Sequence, residues 1–143
     1  MLKGIPSVLS PELLKILDEM GHGDELVLGD GNFPAATCAK RLVRSDGHGV
    51  PVLLDAILQL LPPDSYVQAP FALMATGEGE PVPEIWQTYR DIIARRAPGY
   101  ENKIEQVERF AFYERAKNAF AVVATGETAI YANLIIKKGV VIE

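Results

Sequence analysis

Apolar residues along this chain alternate between helical and strand rhythms. Leu13, Leu14, Leu17 and Met20 recur at helical spacing. Ser10-Pro11-Glu12 stands just ahead of them. Serine can cap, proline suits the first helical position, and an acid favours the positive end of the helix dipole. The pattern predicts a helix that stops at Gly21. Residues 25–28 read as a short buried strand, 34–39 as a turn of helix, and 41–44 as a second strand centred on Leu42 and Val43. Val52, Leu53, Ala56, Ile57 and Leu60 share one helical face, ended by Pro62-Pro63-Asp64. Residues 71–75 predict a third strand. Residues 83–96 predict an amphipathic helix with Ile85, Trp86, Tyr89, Ile92 and Ile93 inward. A further helix over 108–118, a strand over 121–124 and a strong last strand over 131–136 follow, with 140–142 continuing the pairing.

Strands that are apolar throughout imply a sheet covered on both faces by helices. The expected fold is therefore α/β: a single-domain three-layer α/β/α sandwich over residues 1–143, with a largely parallel or mixed central sheet. Ligands in such sheets sit beyond the carboxyl ends of strands. Asp30 stands at that kind of position.

Composition narrows the partners. A hydrophobic content of 48% in 143 residues supports a real core. A net charge of −5 argues against nucleic acid and against an anionic membrane surface. Cys38 is alone, so no disulfide forms within the chain, and two His with one Cys do not assemble the usual structural zinc sets. The opening Met1-Leu2-Lys3-Gly4-Ile5-Pro6 lacks the apolar segment of a secretory signal, and no apolar run is long enough for a bilayer. The expectation is a soluble, cytoplasmic protein without a metal. Gly21-x-Gly23, Gly29-x-Gly31, Gly47-x-Gly49 and Gly77-x-Gly79 all lack the third glycine of a dinucleotide fingerprint, and none leads into a phosphate loop. There is no Gly-x-Ser-x-Gly elbow either. No cofactor is expected.

Three groups of residues remain as candidates for chemistry. His22 precedes the strand at 25–28 and Asp30 follows it, each flanked by glycines. Imidazole titrates near neutrality and can move protons both ways. The strand between them spans roughly 10–15 Å at about 3.3 Å per residue, so the two frame one cavity either within a subunit or across two. His22 also reads as a helix C-cap, and Asp30 as an Asp-Gly turn-former. Tyr131 and Asn133, two apart in a strand, would share a face as a hydrogen-bonding platform or as an ordinary cross-strand pair. Arg109 and Tyr113 are four apart on one helix face. Arg109 stands in the first turn, where the dipole disfavours a cation, which points to a further duty such as holding an oxygen-rich ligand.

Taken in order, Gly21-His22-Gly23-Asp24, Asp30 with Asn32-Phe33-Pro34, Arg109-Phe110-Ala111-Phe112-Tyr113-Glu114-Arg115, Thr125-Gly126-Glu127, and Tyr131-Ala132-Asn133 through Lys137-Lys138-Gly139-Val140 resemble the L-fucose mutarotase branch of the ribose pyranase/fucose mutarotase family. Gly31 departs from the alanine frequent there. The resemblance implies a ribose pyranase-like fold and a cofactor-independent isomerase that interconverts the α and β anomers of a free monosaccharide. It implies His22 as catalytic acid/base, with Asp30, Arg109, Tyr131 and Asn133 lining the sugar site. Arg109 marks the fucose branch, because the ribose branch tends to carry His there. It further implies a homo-oligomer, a ring-shaped decamer with sites near subunit boundaries. Asp24, as the partner that sets the His22 tautomer, and Tyr113 are further candidates. Three rival readings stand beside it: a D-ribose pyranase-type enzyme, a monosaccharide-binding accessory protein without turnover, and an oligomer whose glycine-rich loops form only interfaces.

Overall fold

The computed structural model describes residues 1–143. The element order is α1 Pro11–Glu19, β1 Glu25–Gly29, α2 Ala35–Cys38, β2 Leu42–Ser45, α3 Val50–Leu58, β3 Phe71–Met74, α4 Ile85–Arg96, β4 Ile104–Val107, α5 Arg109–Asn118, β5 Ala121–Thr125 and β6 Leu134–Lys137. α1 starts where its sequence dictates: Ser10 Oγ accepts from the Leu13 N–H at 3.1 Å, and Leu13, Ile16 and Leu17 form the buried face. Its end differs from the expectation. Met20 leaves the helix in an extended conformation, and the left-handed glycine is Gly23, at φ +85°, not Gly21. α3 also differs. It begins at Val50, just after Gly49, so the buried stripe runs through Val50, Leu53, Leu54, Ile57 and Leu58 while Val52 and Leu60 face solvent.

All six strands join one sheet in the order β2-β5-β1-β6-β3-β4. β2, β5 and β1 are mutually parallel, as are β3 and β4, and β6 runs antiparallel between β1 and β3. The sheet is thus mixed. A parallel crossover needs a dozen or more residues. Only residues 126–133 separate β5 from β6, so the chain must turn back. Since β1 lies between those two strands, this loop passes over the carboxyl end of β1, which places residues 131–133 directly against Asp30.

Helices cover both faces, as a doubly buried sheet requires. Along β1, Leu26 and Leu28 point into the larger core with α1, α3 and α4, and Val27 points into the smaller one with α2 and Phe112 of α5. Edge elements account for most departures from the expected pattern. β4 was not predicted, because at the sheet edge Ile-Glu-Gln-Val needs to bury little. Leu42, on the opposite edge strand, is exposed while Val43 is buried. The last strand begins at Leu134 instead of 131, since Tyr131 is left-handed at φ +53°. Val140, Val141 and Ile142 are exposed and extend no strand, and the pairing beyond β6 is the single Pro63–Lys138 bridge. No helix is long and apolar enough to cross a membrane.

Candidate active site at the carboxyl ends of the strands

A cleft of about 360 Å³ opens beyond the carboxyl ends of β1 and β3 and the amino end of β6, beside the first turns of α5. Asp30 forms its floor and is only 6% exposed. Its backbone N–H donates to Asn133 Oδ1 at 2.8 Å. Its carboxylate accepts from the Asn32 N–H at 3.0 Å and the Ala132 N–H at 3.4 Å. Burial pushes the Asp30 carboxyl above its ordinary range, against the opposing pull of hydrogen bonds from the Asn32, Ala132 and Phe33 backbones. The desolvation of the carboxylate outweighs those bonds. Asn133 is buried as well, with its amide Nδ2 facing Met74 Sδ at 3.9 Å.

The 131–133 segment is held from three sides. The Tyr89 hydroxyl donates to the Ala132 carbonyl at 2.7 Å, and the Trp86 indole N–H donates to the Tyr131 carbonyl at 2.8 Å. The Tyr131 hydroxyl accepts from the Gly77 N–H at 3.2 Å. These bonds offset the positive φ of Tyr131, a conformation that costs a bulky side chain of order 1–3 kcal/mol. Strand alternation is therefore not what aligns Tyr131 with Asn133. A left-handed turn aims both into the cleft.

Arg109 opens α5, and the cost of a cation there is relieved locally. Glu108 caps the helix, its Oε2 accepting from the Phe110 and Ala111 N–H groups. The Arg109 guanidinium donates to the Tyr113 hydroxyl at 3.0 Å and lies over the Phe110 and Tyr113 rings. Tyr113 packs in turn on Phe33, ring to ring at 5.7 Å. A cationic fork thus overhangs one side of the cleft and a buried carboxylate lies at its base. Asn32, Met74, Glu80 and Ile130 complete the lining. Met74, Glu80 and Ile130 were not singled out in the sequence, and Asn32 entered there only as part of the motif that follows Asp30. Met74 and Ile130 read there as ordinary apolar positions, and Glu80 sits in a loop without periodicity.

His22 and Asp24 lie elsewhere. They precede β1, whereas Asp30 follows it, so about 15 Å of extended chain separates imidazole and cleft. Asp24 is not the partner of His22: its Oδ2 caps the Gly21 N–H at 2.8 Å. The partner is Asp64, whose Oδ1 accepts from His22 Nε2 at 2.9 Å. Pro62-Pro63-Asp64 reads in the sequence as a helix stop, which hid this role. Five of the seven residues singled out as a site thus share one cleft within the chain, and His22 and Asp24 occupy the other end of the same strand.

Comparison with known proteins agrees with this architecture. Human fucose mutarotase is 54% identical over 147 aligned positions, covering 97% of this chain and 94% of that protein. L-fucose mutarotase of Actinobacillus pleuropneumoniae serotype 5b is 53% identical, covering 98% and 97%. The crystal structure of the fucose mutarotase from Streptococcus pneumoniae in complex with L-fucose superposes with a TM-score of 0.95 at 52% identity, over 99% of this chain and 100% of that one. Bacillus subtilis RbsD complexed with D-ribose shares the fold at a TM-score of 0.71 and 23% identity, over 99% and 100%. The model of the RbsD / FucU transport protein family matches residues 3–141, and the chain belongs to that family.

Proposed function

We infer that the protein is an L-fucose mutarotase, an isomerase that interconverts the α and β anomers of the free sugar. The observation that carries this is the 52–54% identity, across nearly the whole chain, to proteins named fucose mutarotase, one of them solved with L-fucose bound. The cleft chemistry supports it. A buried carboxylate, a guanidinium, a phenol and a carboxamide converge on a volume suited to one monosaccharide. Arg109 supports the fucose branch over a ribose pyranase, and the ribose-bound neighbour is similar in fold alone.

Mutarotation needs one proton taken and one returned. A base removes the proton of the anomeric hydroxyl, the bond from the anomeric carbon to the ring oxygen breaks, and the ring oxygen is protonated. The terminal bond of the open aldehyde rotates, and the reverse steps close the ring on the other face. His22 is the proposed acid/base. Asp30, Arg109, Tyr131 and Asn133 hold sugar hydroxyls so that the reacting oxygens stay in place while the chain is open. Tyr113 acts by bracing Arg109. Since His22 and the cleft lie at opposite ends of β1, the complete site joins the cleft of one copy to His22 of another, and the protein works as a homo-oligomer such as a ring decamer.

Saturation transfer between the anomeric protons of L-fucose and of D-ribose tests this reading. Enzyme-dependent exchange of L-fucose is expected, and His22→Gln should lose about 10²–10⁴-fold of it while still binding sugar. Binding without exchange above buffer would instead make the protein a sugar-binding accessory. Exchange of ribose alone would move it to the other branch.

A further inference from the structure

We propose that Glu80 is a specificity-determining residue: its carboxylate, held at the rim of the cleft beside Tyr131, restricts the site to uncharged sugars by repelling phosphate esters and sugar acids. The proposal rests on the reading of this cleft as the sugar site and adds the group that sets the charge of the sugar it accepts.

The charged lining of the cleft is two carboxylates, Asp30 and Glu80, and one guanidinium, Arg109. Arg109 by itself would favour an anion, because a guanidinium fork matches phosphate and carboxylate. Only its Nε is bonded within the chain, to the Tyr113 hydroxyl, so both terminal amino groups are free for a ligand. It also stands in the first turn of α5, where backbone N–H groups attract negative charge. Glu108 removes that second attraction by taking the Phe110 and Ala111 N–H groups for itself. Glu80 offsets what remains. Asp30 is buried and accepts from two backbone N–H groups, whereas Glu80 is exposed at the rim, where an incoming ligand meets it first.

A tight turn puts the carboxylate there. The Glu80 N–H donates to the Gly77 carbonyl at 3.1 Å, with Gly79 at φ +77° in the position of a type II turn that requires a positive φ. The turn is tied to the site itself, since the Gly77 N–H donates to the Tyr131 hydroxyl at 3.2 Å. A Cβ on Gly77 would lie 3.3 Å from that hydroxyl and 3.4 Å from Glu80 Cγ, so the phenol and the glutamate side chain close on the same bare glycine. The ion pairs of the fold use other carboxylates, among them Glu25, Asp46, Asp55 and Glu114. Glu80 therefore presents its charge to the cleft uncompensated by a partner of its own. A neutral sugar meets such a carboxylate with hydroxyl donors. A phosphate or carboxylate brings acceptors and a like charge.

Inhibition of L-fucose anomer exchange by two anionic analogues tests this on the native protein. L-fucose 1-phosphate carries its charge at the anomeric end and cannot open. L-galacturonate carries a carboxylate in place of the methyl group. Together they place the charge at either end of the sugar. The quantity read is the inhibition constant divided by the KM for L-fucose, which cancels a general change in the cleft. In Glu80→Gln, which keeps the backbone turn and the side-chain shape, the ratio should fall about tenfold for at least one analogue, as for one like charge removed at close range from a half-solvated cleft. Glu80→Asp keeps the charge and should stay near the wild-type ratio. The gap between wild type and Glu80→Gln should shrink as salt rises from about 0.01 M to about 1 M, because the Debye length falls from roughly 30 Å to 3 Å. An unchanged ratio for both analogues in Glu80→Gln, an equal fall in Glu80→Asp, or a gap indifferent to salt would overturn the proposal. Absence of L-fucose exchange by the native protein would instead remove the mutarotase reading, and the same ratio, taken from dissociation constants by ligand-observed NMR, would then decide the role of Glu80.

Discussion

Mixing two inactive variants tests the proposed sharing of the site between copies. A general base must come within about 2.6–3.2 Å of the proton it takes, or act through one water. β1 puts about 15 Å between the His22 end and the Asp30 end of the same chain, and its five residues are tied into the sheet on both sides. No side-chain rotation closes such a gap. His22→Gln removes the base and leaves the cleft intact. Arg109→Ala removes charge-assisted hydrogen bonds worth about 1.5–3 kcal/mol, which leaves under about 10% of the wild-type rate at sugar concentrations below KM. Arg109 is exposed and its helix is capped by Glu108, so the fold should survive the change. If the two are unfolded together and reassembled at equal amounts, about a quarter of the sites in a head-to-tail ring pair an intact His22 with an intact cleft. Anomer exchange should therefore recover to about 25% of wild type, above either parent. Mass spectrometry confirms that the assemblies are mixed. Mixed assemblies with no gain over the parents would refute the shared site and require His22 to reach the cleft of its own chain.

Other perturbations follow from the packing. Asp55 joins α3 to α4, and the hydrogen bond from Arg96, helped by Arg95, holds its carboxyl at about 2, below the unfolded value of 3.8. Its stabilisation is therefore full above about pH 4 and is lost as pH falls through about 2. Asp55→Asn should cost about 1 kcal/mol at pH 7, since the arginines are partly solvated, and the gap from wild type should narrow toward pH 2 in denaturant titrations. A gap independent of pH would contradict the ion pairing. Tyr89→Phe leaves the buried Ala132 carbonyl without its donor. It should cost about 1–3 kcal/mol in unfolding free energy and weaken sugar affinity by loosening 131–133, whereas unchanged affinity would show that the segment is held without it. Gly29→Ala would put a Cβ 2.7–2.9 Å from Phe33 side-chain atoms. Calorimetry should show about 1–3 kcal/mol of overpacking and weaker L-fucose binding, and a variant as stable as wild type would mean that Phe33 moves freely.

Local chemistry made much of this molecule readable from its residues. Ser10-Pro11 announced α1, and uninterrupted apolar runs announced β1, β3 and β5, because capping and double burial act within a few neighbours. The Gly29-Asp30 end of β1 stood out for the same reason, as did Arg109 at the head of α5. Contacts between residues far apart in sequence were a different matter. Asp64 looked like the stop of a helix, and only the pairing of residues 62–64 and 23–24 on either side of Lys137–Gly139 brings it to His22. Tyr131 looked like a strand residue, yet the loop over β1 forces it left-handed, and bonds from Trp86, Tyr89 and Gly77 hold that segment in place. β4 gave little signal because an edge strand has one neighbour and a wet face. Periodicity records which side of an element is dry, so the layers could be written down in advance. Which carboxylate meets which imidazole depends on the order of strands in the sheet, and that order is set by loop length and long-range pairing.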